Sequence, residues 1–118
     1  MEIDKEMLKG HIDTMILSLL NNQDMYGYEI AKVVHTRTDE AFELKEGTLY
    51  LSLKRLEKKG SVESYWGDEQ GPGGRRKYYR ITTDGRAVLA RKKVEWRLVK
   101  QLMNLFLHEE GDSFEARG

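Results

Sequence analysis

SVESYWGDEQGPGGRRKYYRIT, residues 61–82, sets a glycine-rich turn between two runs of strand-forming residues. Two short runs rich in Tyr, Trp, Val and Ile flank DEQGPGG, which holds the only proline and three glycines. That pattern predicts an antiparallel hairpin with a glycine-rich tip over residues 68–74. The second strand alternates. If Tyr79 and Ile81 face a core, then Arg76, Tyr78 and Arg80 face outward, and the opposite register exchanges the two sets. Arg75, Arg76 and Lys77 stand at the tip in either register. Glycines let such a tip follow a groove, and its cations release counterions on meeting phosphate.

Immediately upstream, KEGTLYLSLKRLEKKG (residues 45–60) reads as a helix. Leu49, Leu53 and Leu56 share one face at i, i+4 and i+7, and Gly60 after two lysines marks the end. Turning the leucines inward aims Gly47, Thr48, Leu51, Lys54, Arg55 and Lys58 outward. The segment carries five cations against two anions. A helix so decorated suits a major groove, with Thr48 and Leu51 toward base edges and cations toward phosphate.

Further upstream, MLKGHIDTMILSLLNN places Met7, Leu8, Ile12, Met15, Ile16, Leu19 and Leu20 at helical spacing, predicting one helix that ends near Asn21 or Asn22. YGYEIAKVVHTR gives a second helix with Tyr26, Ile30, Val33 and Val34 on one side and Gly27 in its first turn, open to a close crossing. Downstream of the hairpin, Thr82 or Thr83 caps a last helix running from Asp84 to about His108. Its apolar residues, Val94, Trp96, Leu98, Val99, Leu102, Met103, Leu105 and Phe106, cover roughly half or more of the circumference. One core face needs less, so a second chain is the economical source of the other. Residues 109–118 have no periodicity and are expected to form a flexible tail.

Three helices, a hairpin and a long helix give the fold class: mainly α, a winged helix-turn-helix with a C-terminal dimerisation helix. The expected division is a DNA-binding unit over residues 1–82, the dimerisation helix over 83–108, and the tail.

Composition narrows the chemistry. The 118 residues carry 20 basic and 20 acidic side chains, so total charge is neutral and only its distribution bears on nucleic acid. No cysteine is present, so disulfides, thiolate nucleophiles and cysteine metal sites are excluded. His11, His35 and His108 are far apart and no HExxH occurs; Ser52 and Ser61 lack a histidine–acid grouping in sequence. GPGG lacks the lysine and serine or threonine of a phosphate loop. No catalytic site, metal or cofactor is expected. Without a leader-like start or an apolar run of about 18 residues, the expectation is a cytoplasmic protein with no membrane partner.

YGYEI (residues 26–30), GTLY (residues 47–50), LKRLEKKG (residues 53–60) and GGRRKYYRIT followed by Gly85 together resemble the PadR family of bacterial transcriptional regulators. SYWGDE (residues 64–69), the basic wing and Trp96 make the chain most similar to the short subgroup that includes the lactococcal multidrug-resistance regulator. The resemblance implies a homodimeric repressor that reads an inverted-repeat operator in double-stranded DNA. Its DNA-binding residues would be Lys45, Gly47, Thr48, Tyr50, Leu51, Lys54, Arg55 and Lys58 on the recognition helix, with Arg75, Arg76 and Lys77 on the wing. Leu98, Leu102, Leu105 and Phe106 would form the dimer interface.

In multidrug-binding relatives a flat aromatic compound sits between paired tryptophans at that interface. Here Trp96 would take that place, walled by Met7, Leu8, His11, Thr14, Val99, Lys100 and Met103. Two departures stand out: Leu51 replaces a common proline, and Lys93 and Lys100 replace an aromatic residue and an acid. The lysines shift the expected effector toward neutral or anionic aromatics. The competing functions are a dimeric adaptor whose winged domain binds protein, and an architectural DNA binder without sequence preference.

Overall fold

Leucine and isoleucine at helical spacing build most of the core, and Val62, Tyr79 and Ile81 of the hairpin complete it. In the computed structural model, which describes Ile3 and residues 5–108, the elements are α1 (Ile12–Leu20), β1 (Met25–Tyr26), α2 (Gly27–Arg37), α3 (Glu46–Lys58), β2 (Val62–Trp66), β3 (Lys77–Ile81) and α4 (Thr83–Leu107). Ile16, Leu17 and Leu20 of α1, Ile30 of α2 and Leu53 of α3 are fully buried, and Leu49 and Leu56 join them. The expected leucine face of α3 is the face that packs. The helix ends in a Schellman pair, Ser61 N–H donating to Leu56 O (2.9 Å) and Gly60 N–H to Glu57 O (3.0 Å). The expected tail over residues 109–118 lies outside the described residues.

The hairpin belongs to a three-stranded antiparallel sheet in the order β1-β3-β2. Tyr79 pairs with Met25 on one side and Ser64 on the other, while Tyr78 pairs with Tyr26 and Tyr65. Tyr79 and Ile81 are buried, so the register is the one that turns Tyr78 and Arg80 outward.

Two local readings change. The helix expected from Met7 to Asn21 or Asn22 is broken: a 3-10 turn over Lys5–Leu8 precedes Gly10, which sits at φ +86°, and α1 starts at Ile12. A left-handed residue cannot continue a right-handed helix, and glycine adopts that conformation without a Cβ penalty. Tyr26, expected inside the second helix, instead caps it in extended conformation and pairs with β3; its N–H donates to Glu29 Oε1 at 3.1 Å.

Helix α4 begins where Thr82 caps it, the Gly85 N–H donating to Thr82 Oγ1 at 2.9 Å. Gly85 and Leu89 are its buried residues. From Arg91 onward the helix is exposed apart from a half-buried Lys92. At 1.5 Å per residue its 25 residues span about 37 Å.

Candidate nucleic-acid interface and interhelical groove

The outer face of α3 is built by default: once Leu49, Leu53 and Leu56 are buried, the residues between them face away from the core. Gly47, Leu51, Lys54, Arg55 and Lys58 are exposed, Tyr50 is partly so, and Thr48 is half-buried. Lys45 is the exposed residue preceding the first turn. Leu51 is 65% exposed and shares this face with the cations Lys54 and Lys58. Lys54 and Lys58 have no ion-pair partner among the described residues.

Arg55 differs from its neighbours. Its Nε donates to Asp13 Oδ2 (2.9 Å) and its Nη2 to Asp13 Oδ1 (2.7 Å) and Ser52 Oγ (2.9 Å). The buried Ser52 hydroxyl in turn donates to Asp13 Oδ1 at 2.7 Å. Ser52 is therefore a member of an ion-pair network. Burial by itself would raise the Asp13 carboxyl, but hydrogen bonds from Arg55 and Ser52, with the charges of Arg55 and Lys59, outweigh it and hold the group below its usual range.

A folded-state value lower than the unfolded one adds stability above the unfolded pKa and loses it as pH falls through the folded one. The expected result is a urea midpoint that drops between about pH 5 and about pH 3, with a shallower drop in Asp13→Asn. Equal slopes in the two proteins would remove Asp13 from the acid response.

The wing is held at its neck. Gly67 N–H donates to Arg76 O at 2.7 Å, and a turn closed by Gly74 N–H to Gly71 O (3.0 Å) forms the tip. Of the three cations, Arg75 donates from Nε to Gly67 O at 2.8 Å, Arg76 lies over the Tyr26 ring at 4.6 Å, and Lys77 lies 5.9 Å from the Tyr79 ring centre. All three are exposed, and they gather at the neck with the glycines beyond them. The Tyr78 hydroxyl donates to Glu69, a bond that raises Tyr78 and lowers Glu69. Tyr26, Tyr78 and Tyr65 form a ladder across the three strands, with ring centres 5.5 and 5.7 Å apart. Sequence reading missed this ladder because β1 is too short to announce itself.

A groove of about 520 Å³ lies between the N-terminal segment with α1 and the middle of α4. Met7, Leu8, His11, Thr14, Trp96 and Val99 line it together, with Gly10 and Met15; Lys100 and Met103 are not among its lining residues. The His11 ring meets Trp96 edge-on at 5.8 Å. Two unforeseen residues, Lys92 and Glu95, complete the wall. They face each other at 3.6 Å, so the groove has an acid as well as a base. Lys93 and Lys100 are exposed and outside the lining. Leu98, Leu102, Leu105 and Phe106 are exposed on α4, Phe106 at 75%.

Among the described residues no group of three or more His, Asp or Glu could hold a metal ion, and no helix is long and apolar enough to cross a membrane.

Residues 16–91 match the model of the PadR-like family of transcriptional regulators. A transcriptional regulator from Clostridium thermocellum is 46% identical and superimposes with a TM-score of 0.80 over 87% of this chain and 99% of that one. A PadR family transcription regulator from Clostridium difficile is 52% identical, with a TM-score of 0.73 over 82% of this chain and 98% of that one. A protein of Lysinibacillus sphaericus is 45% identical over 105 residues, 89% of this chain and 95% of its own length.

Proposed function

The chain belongs to the PadR-like family of transcriptional regulators, and from that membership we propose that it is a homodimeric, sequence-specific repressor of the short, multidrug-responsive subgroup. Two copies join through α4 and place two recognition helices on an inverted repeat. The DNA-binding unit is residues 1–82 and the dimerisation helix residues 83–108, in a protein of the cytoplasm. A flat aromatic effector in the groove beside Trp96 relieves repression by favouring a dimer whose half-site spacing no longer fits the operator.

The observation that carries this reading is the outer face of α3. It presents Leu51 with Lys54 and Lys58, an exposed apolar side chain and two cations with no ion-pair partner among the described residues, and the hairpin adds the exposed cations Arg75, Arg76 and Lys77. The groove supports the effector half: Glu95 in its wall weakens the expectation that lysines would exclude organic cations.

Fluorescence anisotropy against the DNA upstream of its own gene, beside a scrambled duplex at two salt concentrations, tests the proposal. A repressor prefers its operator by about 10³-fold or more, with strong salt dependence on both duplexes. Lys54→Ala is expected to weaken binding and flatten the salt slope by about one. Arg75→Ala is expected to cost less, because its guanidinium already spends one donor on Gly67. Equal affinity for both duplexes would favour the architectural reading, and no binding at low salt the adaptor.

A further inference from the structure

The first turn of α1 touches two places at once. His11, at its N-terminus, packs edge-on against Trp96 of α4 at 5.8 Å. Two residues on, the Asp13 carboxylate grips Arg55 of α3 with two bonds of 2.9 and 2.7 Å and accepts a third from Ser52. Gly10 lines both the groove beside Trp96 and a second cavity of about 540 Å³ bordered by Asp13, Thr48, Ser52 and Arg55. The groove and the recognition helix therefore share one wall, the segment from Gly10 to Asp13.

We propose that Asp13 is a positioning residue through which the groove and the DNA-contacting face of α3 sense each other. The inference rests on the reading of α3 as the recognition helix. Residues within one helical turn move as a body, so a shift of His11 against Trp96 carries the Asp13 carboxylate with it. That carboxylate fixes the guanidinium of Arg55, which stands beside Leu51 and Lys54 on the outer face and is half exposed. A two-pronged carboxylate–guanidinium contact constrains direction as well as distance, so the shift reorients Arg55. Gly10, at φ +86°, is the joint about which the preceding 3-10 turn can move separately. Linkage makes the effect reciprocal: DNA on α3 must alter the surroundings of Trp96.

Reciprocity gives a test that needs no effector. In a Trp66→Phe protein Trp96 is the only indole, and its emission is followed while a labelled duplex from upstream of its own gene is titrated and anisotropy reports binding. Trp96 emission is expected to change with the same midpoint as the anisotropy. With Asp13→Asn added, the duplex still binds but the emission change is lost. Arg55→Lys keeps the cation without the two-pronged grip and is expected to lose the change as well; it serves where Asp13→Asn does not fold by circular dichroism. An emission change that survives either substitution in a folded protein overturns the proposal, as does an unchanged Trp96 in the parent with DNA bound. An anisotropy that never rises removes the DNA reading itself, and the link with it.

Discussion

A protein carrying Leu98→Glu and Leu105→Glu is expected to sediment as a single chain, keep its helical circular dichroism, and lose about 100-fold or more in operator affinity. Both leucines are 59% exposed on α4, so the substitution removes little from the fold of one chain. In a two-fold dimer the same patch meets itself, and two substitutions place four carboxylates in one interface. Each leucine removed forfeits about 2 kcal/mol of apolar burial, and each charge adds a desolvation cost. The DNA effect follows because a lone chain engages one half-site without a tethered second one. Analytical ultracentrifugation checks the first step and anisotropy the second. A double variant that stays dimeric would place the interface on some other surface.

What could be read from sequence, and what could not, divides by the distance between interacting residues. The leucine face of α3, the Thr82 cap and the apolar excess of α4 are patterns within one element, and each appears where its spacing put it. Tyr26 shows the opposite case: its local context is helical, but its extended backbone pairs with Tyr78 on a distant strand, and pairing prevails over one more helical turn. Gly10 sits inside an unbroken apolar periodicity, which reads the same whether the glycine is helical or left-handed.

The site follows the same rule. Arg55 counts in sequence as one more outward cation, and only the fold brings it Asp13 from 42 residues away. The wing cations likewise acquire the Gly67 carbonyl and the Tyr26 ring as partners, contacts that orient the guanidinium groups and leave their charge intact. In the groove, the family resemblance supplied Met7, Leu8, His11, Thr14, Trp96 and Val99, whereas Lys92 and Glu95 enter because they share one face of α4 with Trp96 and Val99 at i, i+3, i+4 and i+7. Lys93, one step further on, is turned about 100° around the axis from Lys92 and is exposed outside the wall.

Gly85→Ala is expected to destabilise the protein by about 2–4 kcal/mol, read as a fall of about 1–2 M in the urea midpoint. A Cβ at this position would overlap the Ser61 carbonyl oxygen and lie 2.8 Å from Ile81 Cγ1. That carbonyl cannot retreat freely, since it accepts a hydrogen bond from the Thr82 N–H at 3.0 Å and the peptide before it is held by the Thr82 hydroxyl donating to Gly60 O at 2.6 Å. Alanine's better helix propensity returns at most about 1 kcal/mol. Gly27→Ala is the instructive contrast. There the obstacle is the hydroxyl end of Tyr50, a partly exposed side chain on a flexible stem. Tyr50 can swing aside, so the stability change is expected within about 1 kcal/mol. Yet Tyr50 belongs to the outer face of α3, so Gly27→Ala should disturb DNA binding more than folding. A backbone carbonyl that cannot give way sets the first cost and a movable side chain the second. A Gly27→Ala protein less stable than Gly85→Ala would mean that α4 tilts away from Ser61 more easily than Tyr50 turns.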